Sequence, residues 1–218
     1  MIATLHGNGG CAEQNFLWWH STSEPRNYAL VALQYAEEDV ADEDPKEEHL
    51  FDGAATIYAN LEAILDDLQV YCPLDDTTVV LHGFSRGSAL SYQLALMDRG
   101  DDGLQAFSTF VCDSGGPGPA GCAGTVPEYL QDAPPDAYSG AHFWLYCGEL
   151  DYDGQRCEDM EWMMELILAH DGTVDDFYKN PMGGHGIFIT GEPGDTGPAL
   201  TALFDYIDTI EPAPSGFR

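Results

Sequence analysis

Apolar positions in this chain gather in short runs, set between longer stretches of mixed character. Residues 2–5 form the first run, which opens into His6-Gly7-Asn8-Gly9-Gly10. Similar runs recur at 28–33, 77–81, 106–112, 143–147 and 173–178. Short apolar runs bounded by Gly, Pro and acidic residues predict buried strands. Between them the spacing changes: Ile57, Leu61, Ile64, Leu65 and Leu68 lie three and four apart among acids, which predicts an amphipathic helix over 51–71 with Pro73 as its stop signal. Helices are also predicted over 87–99, 158–169 and 198–210. Strands alternating with helices predict an α/β class, a mainly parallel sheet covered on both faces. Residues 113–140, rich in Gly and Pro and without periodicity, predict a long excursion over the sheet edge. With 218 residues, 44% of them hydrophobic, the chain is expected to form one domain over 1–218.

The chemistry concentrates in Val79-Val80-Leu81-His82-Gly83-Phe84-Ser85-Arg86-Gly87-Ser88-Ala89-Leu90. An apolar strand runs into Gly-x-Ser-x-Gly and then a helix. A serine on so sharp a turn projects its Oγ beyond the sheet, and the glycines remove Cβ atoms where strand and helix pass closely. Ser85 is therefore the candidate nucleophile.

These residues and the order of elements resemble the α/β-hydrolases, and more narrowly the small secreted esterases grouped with polyhydroxybutyrate depolymerases and feruloyl esterases. The resemblance covers nearly the whole chain but starts at what the family counts as its third strand. It implies an α/β-hydrolase fold that is minimal at the N-terminus, and a triad in the order Ser, acid, His, each on a loop after a strand. For the acid it implies Asp151, through the Gly-x-x-Asp spacing of Gly148-Glu149-Leu150-Asp151, with Asp153 as the next choice. For the base, His185 lies in Met182-Gly183-Gly184-His185-Gly186, after the last predicted strand and before the closing helix. His6 is expected to brace the glycine loop and His82 to be packed.

The expected oxyanion hole pairs the backbone N–H of Arg86 with that of Asn8, Gly9 being the alternative donor. The glycine loop lacks the Lys-Ser/Thr of a P-loop and does not fit Gly-x-Gly-x-x-Gly, which argues against nucleotide cofactors. No cofactor is expected. Asp151-x-Asp153-Gly154 has no EF-type continuation, and no metal is expected either. Trp18, Phe84 and Tyr152 are candidate substrate-binding residues, placed to wall an acyl or aromatic pocket.

Cys112-Asp113-Ser114-Gly115-Gly116-Pro117 resembles the nucleophile motif of chymotrypsin-like proteases. The predicted helices and the missing Ala-Ala-His-Cys setting set that reading aside, and the segment is expected to be a turn near the active-site rim.

Charge narrows the partners. With 38 Asp and Glu against 7 Lys and Arg, the net charge of −31 disfavours nucleic acid and anionic membrane surfaces. It also points to a protein that folds in high salt, where counterions screen self-repulsion. The densest acidic stretch, 37–48, is expected to be a solvated loop. The opening residues read as a core strand, so no leader is expected within this chain.

Six cysteines without Cys-x-x-Cys pairs exclude common zinc spacing. Local spacing favours disulfides Cys112–Cys122 and Cys147–Cys157, leaving Cys11 with Cys72, and disulfides imply export. The function expected is a serine hydrolase acting on small-molecule or polymeric carboxylic esters. The alternatives are a serine peptidase or amidase on the same fold, or a non-catalytic binding protein.

Overall fold

The computed structural model describes residues 1–35, 53–71, 78–99, 106–117, 126–187 and 197–210. Six strands build one sheet: β1 (Ile2–Leu5), β2 (Leu30–Leu33), β3 (Val80–Phe84), β4 (Thr109–Asp113), β5 (His142–Gly148) and β6 (Thr173–Asn180). Their order across the sheet is β2-β1-β3-β4-β5-β6, and every neighbouring pair is parallel. The helices are α1 (Ala12–Ser23), α2 (Ala54–Tyr71), α3 (Arg86–Met97), α4 (Glu128–Gln131), α5 (Gln155–Ala169) and α6 (Gly197–Ile207).

Strand alternation divides the interior in two. Ala3, Leu5, Leu81, Phe110, Cys112, Phe143, Leu145 and Cys147 join a large apolar core with buried residues of α2, α3 and α5. Ile2, Val80, Val111, Trp144 and Tyr146 pack on the other face against Trp19 of α1 and Ala199, Leu203, Phe204 and Ile207 of α6. Both faces are covered, so the strands read as near-continuous apolar runs.

The structure departs from expectation in several places. Helix α1 was not predicted; its large apolar residues are bunched at 16–19, and what it buries includes Asn15 and Ser23 beside Trp19. The fourth strand begins at Thr109 rather than Ala106. Within the predicted excursion, Asp113–Pro117 does not lie on a rim. All five residues are buried, because the chain leaving β4 dives beneath the turn that carries Ser85. The excursion also contains α4.

Of the expected disulfides, Cys147–Cys157 is present, while Cys11 and Cys112 carry free thiols. Cys112 sits mid-sheet in the large core, where burial pushes its thiol well up, and local sequence spacing did not register that placement. Cys72, Cys122, Pro73 and the acidic stretch 37–48 lie outside the described residues.

Candidate active site

The strand–turn–helix at β3 and α3 places Ser85 at φ 53°, ψ −112°, a left-handed conformation that a serine occupies only under constraint. The constraint is visible around it. The Ser85 N–H donates to the Asp113 carbonyl at 2.7 Å, and Ser85 O accepts from Ala89 N at 3.1 Å. A Cβ on Gly83 would stand 2.2 Å from Gly87 O, so only glycine lets α3 cross β3 this closely.

From this turn the Ser85 hydroxyl lies 2.8 Å from Nε2 of His185, and His185 Nδ1 lies 2.7 Å from Oδ2 of Asp151. A carboxylate only accepts, so the ring proton sits on Nδ1 and Nε2 accepts from the serine. Asp151 is 4% exposed whereas the His185 side chain is 27% exposed: the acid is sealed and the imidazole faces outward. The three groups come from the ends of β3, β5 and β6, the carboxyl edge where open parallel sheets place their sites.

Two loops hold the base and the acid against each other. Glu149 N donates to Asn180 O at 2.8 Å and Leu150 N to Gly183 O at 3.0 Å. Gly148 is required between them, since a Cβ there would stand 2.2 Å from Gly183 O. Asp151 opens a 3₁₀ turn (Asp151–Gly154) in which Tyr152 and Asp153 have φ of 45° and 56°. The Cys147–Cys157 disulfide closes this loop by tying the end of β5 to the first turn of α5.

The glycine loop lies on the other side of the serine. A Cβ on Gly7 would approach Ser85 Cβ to 3.1 Å, so Asn8, which follows Gly7 and is exposed, stands at the flank of Ser85. Arg86 opens α3, so its N–H belongs to the first turn of the helix, beside Ser85. His6 braces the loop as expected: Nδ1 donates to Gly7 O at 2.9 Å, and the ring stacks on Tyr35 with centroids 4.1 Å apart. The Tyr35 hydroxyl donates to the His6 carbonyl.

The aromatic candidates converge on His185. Trp18 meets Phe84 edge-on at 5.7 Å, Phe84 lies 5.1 Å from the His185 ring, and Tyr152 meets that ring edge-on at 6.1 Å. Tyr152 is 69% exposed, and the Arg156 guanidinium lies 4.9 Å over its ring.

Sequence reasoning missed what lies underneath. His82 was expected only to pack, yet its Nδ1 accepts from Trp19 Nε1 at 3.1 Å and pairs with Thr4 Oγ1 at 2.9 Å. An indole only donates, so the His82 ring proton sits on Nε2, which lies 3.6 Å from Asp113 Oδ2. Asn15 Nδ2 donates to Thr4 Oγ1 at 3.1 Å. A file of polar side chains thus runs from α1 through β1 and β3 to the end of β4. Its signal in the sequence was a polar residue inside an apolar run: Thr4, His82 and Asp113.

Among the described residues no group of three or more His, Cys, Asp and Glu could hold a metal ion, and no helix is long and apolar enough to cross a membrane.

No protein-family profile and no curated protein matches the chain. Solved structures do. A carboxylesterase of Mesorhizobium loti is 17% identical with a TM-score of 0.62, over 95% of this chain and 88% of the other. Esterase B of Lactobacillus rhamnosis gives 17% and 0.66, over 96% and 75%. The Bacillus cereus carboxylesterase gives 16% and 0.60, over 97% and 88%. With its all-parallel sheet, crossing helices and strand-end loops, the chain has the α/β-hydrolase fold.

Proposed function

We propose that this chain is a serine carboxylic-ester hydrolase with Ser85 as nucleophile, His185 as general base and Asp151 as its orienting acid. The observation that carries the proposal is the unbroken hydrogen-bonded series Ser85–His185–Asp151, at 2.8 and 2.7 Å, on the exposed edge of the sheet. Ser85 Oγ attacks the ester carbonyl as its proton passes to His185 Nε2, and Asp151 stabilises the imidazolium through Nδ1–H. The tetrahedral oxygen takes hydrogen bonds from the N–H groups of Arg86 and Asn8, each worth about 3 kcal/mol of barrier when so aimed. His185 then gives its proton to the departing alcohol. Water, deprotonated by the same imidazole, releases the carboxylic acid and regenerates Ser85.

Trp18, Phe84 and Tyr152 line the approach with apolar surface while leaving the triad open on one side. That arrangement favours acyl or aromatic groups at the end of a small or polymeric ester. The names of the carboxylesterases sharing this fold support ester chemistry, and the narrower depolymerase and feruloyl esterase reading rests on sequence resemblance. The Cys147–Cys157 disulfide supports export, and the net charge of −31 supports a saline working medium.

The test is hydrolysis of a p-nitrophenyl ester and the matched p-nitroanilide, each at low and at molar NaCl. Ester turnover well above anilide turnover, rising with salt, is the expected result. Preferential cleavage of the anilide would replace the esterase proposal with an amidase. Rates and melting temperatures that do not rise with salt would remove the saline one.

A further inference from the structure

We infer that Asp113 and Ser114, the core of the protease-like motif Asp113-Ser114-Gly115-Gly116-Pro117, are positioning residues that set where His185 stands relative to Ser85. The inference rests on the proposed roles of Ser85 and His185. It begins with the two residues that follow the histidine. Gly186 N donates to Ser114 Oγ at 2.9 Å, and Ile187 N donates to the Asp113 carboxylate at 3.2 and 3.0 Å. Gly186 has φ of 103°, a conformation that lends the loop no stiffness of its own. Its stiffness comes from the two captured amides.

Asp113 also holds the other partner. Its carbonyl accepts the Ser85 N–H at 2.7 Å, so one residue fixes the nucleophile's backbone through its main chain and the base's loop through its side chain. Ser114 supports this from φ of 57°, an uncommon conformation for a serine, and its hydroxyl donates to Asp113 Oδ1 at 3.0 Å. Gly115 completes the close approach: a Cβ there would stand 2.1 Å from Ser85 O.

Packing alone does not account for a carboxylate here. Asp113 is 1% exposed in an apolar neighbourhood, where an unpaired charge is costly. Ile187 N and Ser114 Oγ donate to it, and His82 Nε2 lies 3.6 Å from its Oδ2. Each ties it to the histidine loop, to its own turn, or to the polar file below. Asp113 and Ser114 do not touch the reacting atoms; they act through His185.

Loss of alignment, more than loss of binding, is the expected consequence of removing them, because small displacements of a base cost rate steeply. Ser114→Ala should lower kcat by about 10-fold with KM unchanged, and Asp113→Ala by about 100-fold. Asp113→Asn keeps an acceptor for Ile187 N and should recover much of the loss. A second readout is independent of turnover: the downfield proton resonance of His185 Nδ1–H against Asp151, assigned by its absence in His185→Gln. It should shift or broaden in Ser114→Ala while the rest of the spectrum stays native.

Full kcat and an unmoved resonance in Ser114→Ala would overturn the inference. So would a loss confined to KM, or one that merely tracks the folded fraction. If the wild type hydrolysed no ester, the catalytic proposal would fail, and the resonance would still decide whether these residues place His185.

Discussion

The two faces of the sheet are built on different principles. On one, the central strands present apolar side chains: Leu5, Leu81, Phe110, Phe143 and Leu145 meet α2, α3 and α5. The other carries Thr4, His82 and Asp113 among its apolar residues, all buried, with Thr4 hydrogen-bonded to His82 and the His82 ring 3.6 Å from the Asp113 carboxylate. Apolar packing tolerates rearrangement, since any well-shaped hydrocarbon satisfies it. Buried polar groups do not, because each demands a particular partner in a particular place. The exacting face is the one covered by α1, at whose upper end the His185 loop is anchored. One face supplies stability; the other supplies alignment.

The comparison can be broken by truncation on each face. Phe110→Ala, on the apolar face, should cost about 3–5 kcal/mol in urea unfolding while the surviving folded enzyme keeps its kcat. His82→Leu, on the polar face, leaves the donors of Trp19 and Thr4 without an acceptor and should cost about 1–3 kcal/mol. Its kcat should fall as well, which distinguishes it from Phe110→Ala. Equal kcat in both folded variants would erase the division.

Asp98 lies buried at the margin of the apolar face. Asp98 follows α3 and accepts from Tyr58 Oη at 2.8 Å, Ala106 N at 2.7 Å and Phe107 N at 3.2 Å. Burial pushes its carboxyl up from 3.8 to about 7, despite those donors. Below 3.8 it is protonated in both the folded and unfolded chain and affects neither. As pH rises towards about 7, the unfolded chain ionises freely and the folded one resists, so stability falls across that window. Urea midpoints at pH 5 and pH 8 should therefore differ more in the wild type than in Asp98→Asn. An identical pH response in the two would show that Asp98 is not the source.

The legible parts were those whose signal is local. Gly83-Phe84-Ser85-Arg86-Gly87 carries its turn within five residues, because glycines are needed wherever strand and helix touch. His185 was legible from chain order and its flanking glycines, and Asp151 through the Gly-x-x-Asp spacing that the resemblance implies; the geometry joins both to Ser85 in one hydrogen-bonded series. Short apolar runs marked the buried strands. Helix α1 escaped because its large apolar residues are bunched at 16–19 and what it buries includes the polar Asn15 and Ser23: it meets the polar file through Asn15 and Trp19. Cys112 was misassigned because pairing by sequence spacing takes no account of a strand buried at the sheet's centre. The role of Asp113 and Ser114 was invisible for a related reason. It depends on contacts to Gly186 and Ile187, more than seventy residues away.

Whether Ser85 is the nucleophile of an ester hydrolase is decided by hydrolysis of p-nitrophenyl acetate by the wild type and Ser85→Ala, each shown to be folded, in molar NaCl. Measurable turnover in the wild type and a fall of about 10⁴-fold or more in the variant are expected. Comparable turnover in both would overturn the role of Ser85 and place the chemistry elsewhere on the molecule.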